Sequence, residues 1–551
     1  MMKAWFNSGS PWIWLTAGAV SINLLLVAGL LFLIAVRGLG HFWPADIVEY
    51  HYQDKSGLPS LIIGEEVDKS LLHEAQARAA GHEVLNNAEY LLQFLVKTGN
   101  RDILGSDFRW IQDQYIQSRS TPDDLLAIER REWGNFYGRL VAVKQDGNVL
   151  AEGEQAWQVA QEKLAKALEL FEEIEHLQNK QLGAINYDLE RLRLKQRALE
   201  LKNQWDETKR QEFAAQKLAY EQDYKVIQDK LAQLNKQIKC CSLVVAEAGG
   251  KQITIPLNRV VKILRPNAMG IVDKSMEYVA NFIRFVSENP REANTEGGIF
   301  PAIFGTVLMV MLMAVIVTPL GVIAAVYLRE YAKQGFVTRI IRIAVNNLAG
   351  VPSIVYGVFG LGFFVYILGG SIDRLFYPEA APAPVFGTPG LMWASLTLAL
   401  LTLPVVIVAT EEGLSRIPKS IREGSLALGA TKAETLWRTV LPMASPAIMT
   451  GLILAVARAA GEVAPLMLVG VVKLAPTLPL DGNFPYLHLD RKFMHLGFHI
   501  YDVGFQSPNV EAARPLVYAT SLLLVMVIVG LNMFAIAIRN NLREKYRALE
   551  N

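Results

Sequence analysis

Long apolar runs and polar stretches alternate along the chain. Six runs reach the length of about 20 residues that a helix needs to cross the hydrocarbon core of a bilayer. They span roughly 12–36, 300–327, 341–368, 391–411, 446–470 and 516–538. A polar insert separates the first run from the second. This pattern predicts an α-helical polytopic membrane protein with six transmembrane helices and an inserted α+β domain.

The first run is expected to be a retained anchor. Its apolar core is longer than the about 7–15 residues of a cleavable signal peptide, and no Ala-x-Ala-like cleavage site is obvious near its end. We therefore assign 1–40 to an N-terminal end and first helix, 41–299 to the insert, 300–540 to the main membrane domain and 541–551 to a tail.

Basic residues predict the orientation, because Lys and Arg concentrate in cytoplasmic loops. The 328–340 loop, the 414–442 loop and the tail after residue 538 are rich in them, whereas the 369–390 loop has only Arg374. The four basic residues of the 471–515 loop are spread over a greater length. Both termini should then be cytoplasmic and residues 37–299 extracytoplasmic (periplasmic), in a protein of the inner cell membrane.

Two parts of the insert, 41–151 and 241–268, are expected to be rich in β-strands. Short apolar and β-branched runs joined by Gly and Asp turns predict hairpins. The paired runs are 50–52 with 61–63 across a turn at 54–57, 136–143 with 149–150, and 243–245 with 253–263.

Residues 154–239 are expected to form a helical hairpin. They contain no Pro and a single Gly, Gly183, and apolar residues recur at three-four spacing in 182–192 and 224–238. One continuous helix would be on the order of 130 Å long, yet the chain must return to the membrane near residue 300. We predict antiparallel coiled-coil arms that fold back near 202–208. They would act as a spacer or stability element, or as a docking arm for an outer partner.

Residues 271–286 predict an amphipathic helix with Met276, Val279, Ile283 and Val286 on one face. This helix would lie in the bilayer interface or pack on the β-domain. The only cysteines, Cys240 and Cys241, are adjacent, and a bond between neighbours is strained. They form no disulfide framework and are expected to be inert thiols, or to pair between chains.

A polar stretch, 422–442, lies between the fourth and fifth apolar runs, and its basic side chains place it in the cytoplasm. Glu423 is followed by the small residues Gly424 and Ser425, and after three more positions by Gly429. Nine residues later, a four-residue end closes in Leu441-Pro442.

This spacing resembles the EAA loop of bacterial ABC importer permeases, a helix–turn–helix that docks into the ATPase subunit. The chain departs from the family pattern at Gly424-Ser425, where the family has Ala-Ala, and at Thr439, where Ile is usual.

Two charged residues, Arg458 and Glu462, lie inside the fifth apolar run. A charge at membrane depth costs at least a few kcal/mol and is therefore a functional candidate. Their spacing of four places them on neighbouring turns of one helical face. They would form a pore charge for an anion, because the guanidinium of Arg is a planar donor fork, or else a structural ion pair. The small residues Gly451, Ala455 and Ala459 would let a second helix approach closely.

Three further motifs are similar to those of the PstA-type permease family of phosphate ABC importers. They are Tyr327–Ala332 (YLREYA), Gly350–Gly357 (GVPSIVYG) and Gly461–Leu466 (GEVAPL). The resemblance covers 297–540 well and the first run weakly, and it does not reach the insert. It implies that Arg458 and Glu462 match the family's charged pore positions. It also implies a coupling loop carried by Glu423, Gly424, Ser425, Gly429, Leu441 and Pro442.

The resemblance further implies the partners of an importer. These are a second, PstC-type permease, two PstB-type ATPase subunits that hold ATP and Mg²⁺, and an extracytoplasmic PstS-type phosphate-binding protein. Membrane lipid is also expected as a partner, and nucleic acid is not.

No catalytic motif is found in the sequence. Gly249-Gly250-Lys251 is followed by Gln252, and neither His73-Glu74 nor His82-Glu83 has the second His of a zinc protease. His488, His495 and His499 are expected to serve loop structure and not to bind a metal. We expect a transport subunit that is not an enzyme and has no cofactor of its own.

The resemblance implies a permease that forms half of the pathway for inorganic phosphate. Two alternatives stay open at this point. One is a permease for sulfate, molybdate or phosphonate, and the other is a membrane-tethered scaffold or sensor that acts through its insert.

Overall fold

The computed structural model describes residue 8 and residues 10–546, except 54–56, 80–83, 85–88, 292–293, 295 and 508–509. Residues 54–56 of the predicted turn, the pair His82-Glu83 and the tail beyond residue 546 lie outside these residues. The chain divides into two compact units. One comprises Met1–His41, Ile299–Tyr377 and Ala381–Asn551, and the other comprises Phe42–Gly298 and Pro378–Ala380. We name them the membrane unit, which begins with helix α1 (Ser10–Gly40), and the insert unit.

Two antiparallel sheets form the β-rich part of the insert unit. The first has the order β4-β3-β2-β1-β5 and contains β1 (Ile47–Gln53), β2 (Pro59–His73), β3 (Tyr90–Lys97), β4 (Phe108–Gln112) and β5 (Ile116–Ser120). The second has the order β10-β9-β7-β6-β11, with β8 beside β7. Its strands are β6 (Leu125–Arg130), β7 (Phe136–Gln145), β8 (Asn148–Glu152), β9 (Cys241–Ala246), β10 (Gln252–Pro256) and β11 (Val260–Leu264). Short helices α2 (Glu74–Ala79) and α3 (Arg101–Leu104) connect strands of the first sheet along the chain.

The first two predicted hairpins are confirmed, since Tyr50 lies opposite Ile62 and Val143 lies opposite Ala151. The third prediction is correct only in its first part. Val245 pairs with Ile253, but the 3₁₀ turn Leu257–Arg259 ends that strand, and β11 pairs with β6 instead.

Two helical arms continue from the second sheet. The outgoing arm consists of α4 (Glu154–His176), a π-helical segment (Leu177–Leu182) and α5 (Gly183–Leu201), and the returning arm is α6 (Glu207–Ile238). Asp206 caps α6 by accepting a hydrogen bond from the amide of Lys209 at 2.8 Å. The coiled-coil packing of the arms stays a prediction.

The sheet-proximal ends of the arms belong to the core of the second sheet. Ala160 and Leu164 of α4, together with Leu234 and Ile238 of α6, share one buried cluster with Leu243 of β9. Both cysteines are free thiols, and burial raises the pKa of Cys241 to about 12. Cys241 therefore stays protonated at neutral pH.

Helix α7 (Ile271–Ser287) follows the second sheet. Beyond it, the short pair β12 (Pro290–Arg291) and β13 (Glu296–Gly297) leads to the membrane unit.

The named elements in the rest of the membrane unit are helices, within the described residues. The helices are α8 (Phe300–Val326), α9 (Phe336–Leu348), α10 (Ser353–Phe359), α11 (Gly370–Phe376), α12 (Leu391–Arg416), α13 (Lys419–Ala427), α14 (Lys432–Thr435), α15 (Leu441–Gly461), α16 (Leu466–Val469), α17 (Leu496–Tyr501) and α18 (Val510–Tyr546). π-helical segments at Tyr327–Tyr331, Gly360–Gly369, Leu436–Val440 and Asp502–Gln506 extend or join them.

Within the described residues, six helices are long and apolar enough to cross a membrane, which confirms the number predicted. Several predicted boundaries differ from the observed ones, and the fifth span also begins at Lys432 and not at 446. The third span begins at Ser353 and not at 341, because Pro352 interrupts the helix and 336–348 form the separate helix α9. The fifth ends at Gly461 and not at 470, because Glu462 has an extended backbone.

Helix α12 lies at the centre of the membrane unit. Trp393, Leu398 and Val406 along it are almost completely buried. A Cβ atom added to Gly451 of α15 would lie 2.6 Å from the Cβ of Ala409 in α12. The row of small residues predicted to permit a close helix approach therefore faces α12 at Gly451.

Candidate functional site

The polar loop forms a helix–turn–helix, and its turn depends on Gly429. Residue 429 has a φ of +90°, which suits glycine best. Its amide donates to the carbonyl of Leu426 at 3.0 Å, and the amide of Ala430 donates to the carbonyl of Ser425 at 3.3 Å. These two bonds form a Schellman motif that ends α13.

The second half of the loop begins with a capping box. The amide of Glu434 donates to the hydroxyl of Thr431 at 3.2 Å, and the Glu434 carboxylate accepts from the amide of Thr431 at 2.9 Å. The hydroxyls of Ser425 and Thr435 lie 2.9 Å apart and join the two short helices. Leu441 and Pro442 open α15, where proline is tolerated in the first helical turn.

Basic side chains fasten this loop to the end of the second span. The guanidinium of Arg422 lies 2.9 Å from the carboxylate of Glu330. The ammonium group of Lys432 lies 4.4 Å from the centre of the Tyr331 ring and donates to the carbonyl of Glu330. The YLREYA motif thus contacts the loop directly, a relation that its sequence position does not reveal.

The free surface of the loop combines charge with isolated apolar groups. Glu423 and Gly424 are exposed. Leu428 is 90% exposed and Trp437 is 76% exposed. Tryptophan is enriched among the residues that carry the binding energy of protein–protein contacts, which makes Trp437 a candidate for such a contact. Sequence analysis missed Leu428 and Trp437, although single apolar residues within a charged stretch are a readable signal.

The predicted pair of charges is present, but its helical geometry was wrong. Arg458 lies in the last turn of α15, whereas Glu462 follows the end of the helix with an extended backbone. The Nε of Arg458 and the Oε1 of Glu462 are 3.6 Å apart, and both side chains are partly exposed. The pair therefore joins a helix end to the irregular segment that follows it.

Two of the motifs are brought into contact beside this pair. A Cβ atom added to Gly357 would lie 2.7 Å from the Cα of Pro465, so only glycine fits at this position. The hydroxyl of Tyr356 donates to the carbonyl of Leu348 at 2.5 Å and braces the break before α10. The GVPSIVYG and GEVAPL motifs, distant in sequence, form one structural element.

The segment after α16 carries a separate set of polar contacts. Arg491 and His488 both contact the carboxylate of Asp481, at 2.6 and 3.0 Å, and Lys473 lies 3.0 Å from Asp502. Burial lowers the pKa of His495 to about 3 and the pKa of His499 to about 4, so both are neutral. No metal-binding group of His, Cys, Asp or Glu is found among the residues that the structure describes.

Comparison with known proteins identifies the relatives of the membrane unit. Residues 317–548 match the family described as binding-protein-dependent transport system inner membrane component. The chain is 36% identical over 245 residues to the phosphate transport system permease protein PstA of Mycobacterium leprae, covering 44% of this chain and 71% of that protein. It is 32% identical over 252 residues to PstA of Yersinia pestis, covering 46% and 75%.

A solved structure of the MetNI methionine ABC transporter also matches, with a TM-score of 0.33 and 19% identity, covering 44% of this chain and 94% of the transporter chain. The two PstA proteins are more than 30% identical to this chain over more than two thirds of their own length. The chain therefore belongs to the PstA family of binding-protein-dependent, multi-pass inner membrane permeases.

Proposed function

We propose that this chain is the permease subunit of an ATP-driven importer of inorganic phosphate. The observation that carries the proposal is the extent of the family match, because residues 317–548 include both the Arg458–Glu462 pair and the helix–turn–helix. The relatives' names specify phosphate transport and do not favour another oxyanion or a scaffold.

Arg458 binds the anion in transit. Phosphate is a mono- or dianion, and a guanidinium presents a planar donor fork that matches two of its oxygens. Glu462 competes for the same guanidinium at 3.6 Å. Its carboxylate shortens the residence of phosphate, because the ion pair re-forms as the anion leaves.

The helix–turn–helix receives the energy of ATP hydrolysis. It docks on a PstB-type ATPase in the cytoplasm through Glu423, Leu428 and Trp437, and a pair of such subunits holds ATP and Mg²⁺. The permease has two states, and the loop contacts the nucleotide-bound ATPase more favourably in one of them. Nucleotide binding therefore shifts the equilibrium toward that state. The chain itself carries neither the nucleotide nor the hydrolytic step.

The remaining partners complete the pathway. A PstC-type permease supplies the second half of the membrane channel, and a PstS-type protein delivers phosphate to its outer side. Both termini lie in the cytoplasm and the insert unit lies outside. The enrichment of Lys and Arg in the loops on one side supports this orientation.

Uptake of radiolabelled phosphate by cells that lack this chain tests the proposal. Wild-type protein should restore uptake, whereas Arg458→Gln should abolish it while the variant still reaches the membrane and assembles. Arg374→Gln, at an exposed arginine outside the pair, is the matched control and should restore uptake. Restoration by Arg458→Gln removes this arginine from the pathway, and restored uptake of sulfate but not phosphate rejects the assigned substrate.

A further inference from the structure

Helix α7 presents an apolar stripe that no other described residue covers. Ile271, Val272, Met276, Val279 and Ile283 are each between 54% and 76% exposed. Their spacing places Val272, Met276, Val279 and Ile283 along one face of the helix. Sequence analysis predicted two alternative locations for this helix, the bilayer interface and the surface of the β-domain.

The opposite face of α7 packs within the insert unit. Phe42 lies against the rings of Tyr278, Phe282 and Phe285, with centroid distances from 5.1 to 6.3 Å. Asn281 donates to the carbonyl of Phe42 at 2.9 Å. One face of α7 therefore packs against the insert unit, and the apolar stripe on the other face is left uncovered by the described residues of the protein.

The charged side chains of α7 have partners away from the stripe. Arg284 lies 2.5 Å from the carboxylate of Glu277, which also pairs with Lys262, and Lys274 pairs with Asp46. Since Asp273, Lys274, Glu277 and Arg284 sum to zero charge, an apolar medium can cover the stripe without stranding a net charge.

Phe42, which packs on α7, and the segment that follows α7 are each connected through a short length of chain to a membrane-spanning helix. Phe42 follows Gly40, the last residue of α1, by two positions, so at most about 8 Å of chain separates them. The amide of Gly298 donates to the carbonyl of Asn289 at 3.1 Å, just beyond the end of α7, and α8 begins at Phe300. The segments that contact or follow α7 are therefore joined to the first and second membrane spans by short lengths of chain.

An amphipathic aromatic pair, Trp43 and Tyr278, lies next to Phe42. Trp43 is partly exposed, and its ring centre is 6.1 Å from that of Tyr278. Trp and Tyr are enriched where hydrocarbon meets water. This pair is the residue combination expected at the edge of a lipid surface.

We propose that α7 lies in the outer interface of the phospholipid bilayer, with its apolar stripe among the upper acyl chains. Helix α7, which lies between the first and second spans in the chain, runs parallel to the membrane. It thereby anchors the start of the insert unit. Because its charges balance, the attraction is apolar, and zwitterionic phosphatidylcholine is a sufficient surface. The inference does not depend on the transported substrate.

Site-directed fluorescence in the full-length protein tests this position. In a Cys240→Ser, Cys241→Ser background, single cysteines replace Met276 or Val279 and carry an environment-sensitive nitrobenzoxadiazole label. Val226→Cys is the matched control, since Val226 is an apolar residue that is 69% exposed on α6. Leu25→Cys, on the exposed surface of α1, is the control for lipid contact.

The labelled proteins are placed in phosphatidylcholine nanodiscs with or without lipids spin-labelled on the acyl chain. Labels at 276 and 279 should emit at shorter wavelength than the label at 226, and spin-labelled lipid should quench them as it quenches the label at 25. Emission like that at 226 would place the stripe in water and overturn the proposal. Short-wavelength emission without lipid quenching would mean that protein covers the stripe, and would overturn it equally.

Discussion

Arg422 and Glu330 form a salt bridge of 2.9 Å between the helix–turn–helix and the end of the second membrane span. Their side chains are only 18% and 12% exposed. The same guanidinium donates to the carbonyls of Ile417 and Leu414, at 2.8 and 2.7 Å. One side chain thus links the loop to the ends of two spans, so that force applied to the loop reaches both.

We expect Arg422→Met and Glu330→Gln each to reduce phosphate uptake, because each leaves a largely buried charge or polar group without its partner. A double-mutant cycle on thermal unfolding in detergent should give a coupling energy of about 1–3 kcal/mol. Arg416 and Glu412 are the control pair, 2.5 Å apart but 75% and 61% exposed. Their coupling should be about 0–0.5 kcal/mol. Equal coupling energies in the two cycles would contradict the assigned role.

Gly429→Ala should weaken the loop through backbone strain alone. No atom lies within 4 Å of a Cβ added at 429, but its φ of +90° is unfavourable for alanine by about 1–2 kcal/mol. Gly424→Ala is a matched control, because its Cβ would also meet open space and alanine favours a helix interior by about 1 kcal/mol. ATPase co-purification should fall for the first variant and persist for the second. Identical behaviour of the two would exclude a role for the Gly429 turn.

Trp437→Ala combined with Leu428→Ser should reduce ATPase co-purification by at least tenfold. Tryptophan is enriched among the few residues that each carry about 2 kcal/mol or more of an interface. Neither change opens a core, so the thermal midpoint of the isolated subunit should stay constant. Leu218→Ser, on exposed surface of the insert unit, serves as the control and should leave co-purification intact. Undiminished co-purification of the double variant would place the ATPase contact elsewhere.

The sequence was most informative where a feature depends on neighbouring residues. Apolar length is a local property, so all six spans could be counted, and the spacing within 422–442 resembled a helix–turn–helix loop. The contact of Gly357 with Pro465 and the bridge from Arg422 to Glu330 could not be derived, because each joins residues about 100 apart in sequence. The spacing of Arg458 and Glu462 suggested one helix, but the backbone at Glu462 is extended.

Acid should destabilise the membrane unit through two buried histidines. Burial holds the pKa of His495 at about 3 and that of His499 at about 4, below the value of about 6.5 in an unfolded chain. Below pH 6.5 the unfolded state therefore binds protons that the folded state does not, and stability falls with falling pH. The loss is about 1.4 kcal/mol per pH unit for each histidine, or about 2 kcal/mol each at pH 5.

His499→Gln should roughly halve this pH dependence of thermal unfolding between pH 7.5 and 5. His73→Gln, at an exposed histidine of the insert unit, should leave it unchanged. An unaltered slope in the His499 variant would show that other groups cause the acid sensitivity.

The insert unit should tolerate loss of the distal parts of the two helical arms, residues 183–221, but not of the sheet-proximal ends of the arms. Glu173 of the outgoing arm and Lys230 of the returning arm lie 2.7 Å apart, so these two positions face each other. Replacing 183–221 with a short Gly/Ser linker retains Leu164, Leu234 and the other buried residues that cover the second sheet. Because packed helices lie about 8–10 Å apart, a few residues can close the gap.

Protease resistance of the insert unit and phosphate uptake by the full chain measure the outcome. The shorter deletion should preserve protease resistance, whereas deleting 154–239 should expose the sheet and abolish it. Leu164→Ala or Leu234→Ala should cost about 2–5 kcal/mol by the same mechanism. Equal protease resistance after both deletions would mean that the proximal helices are not part of the core. Loss of uptake with the shorter deletion alone, in a protein that stays protease resistant, would instead assign the distal arms a part in transport.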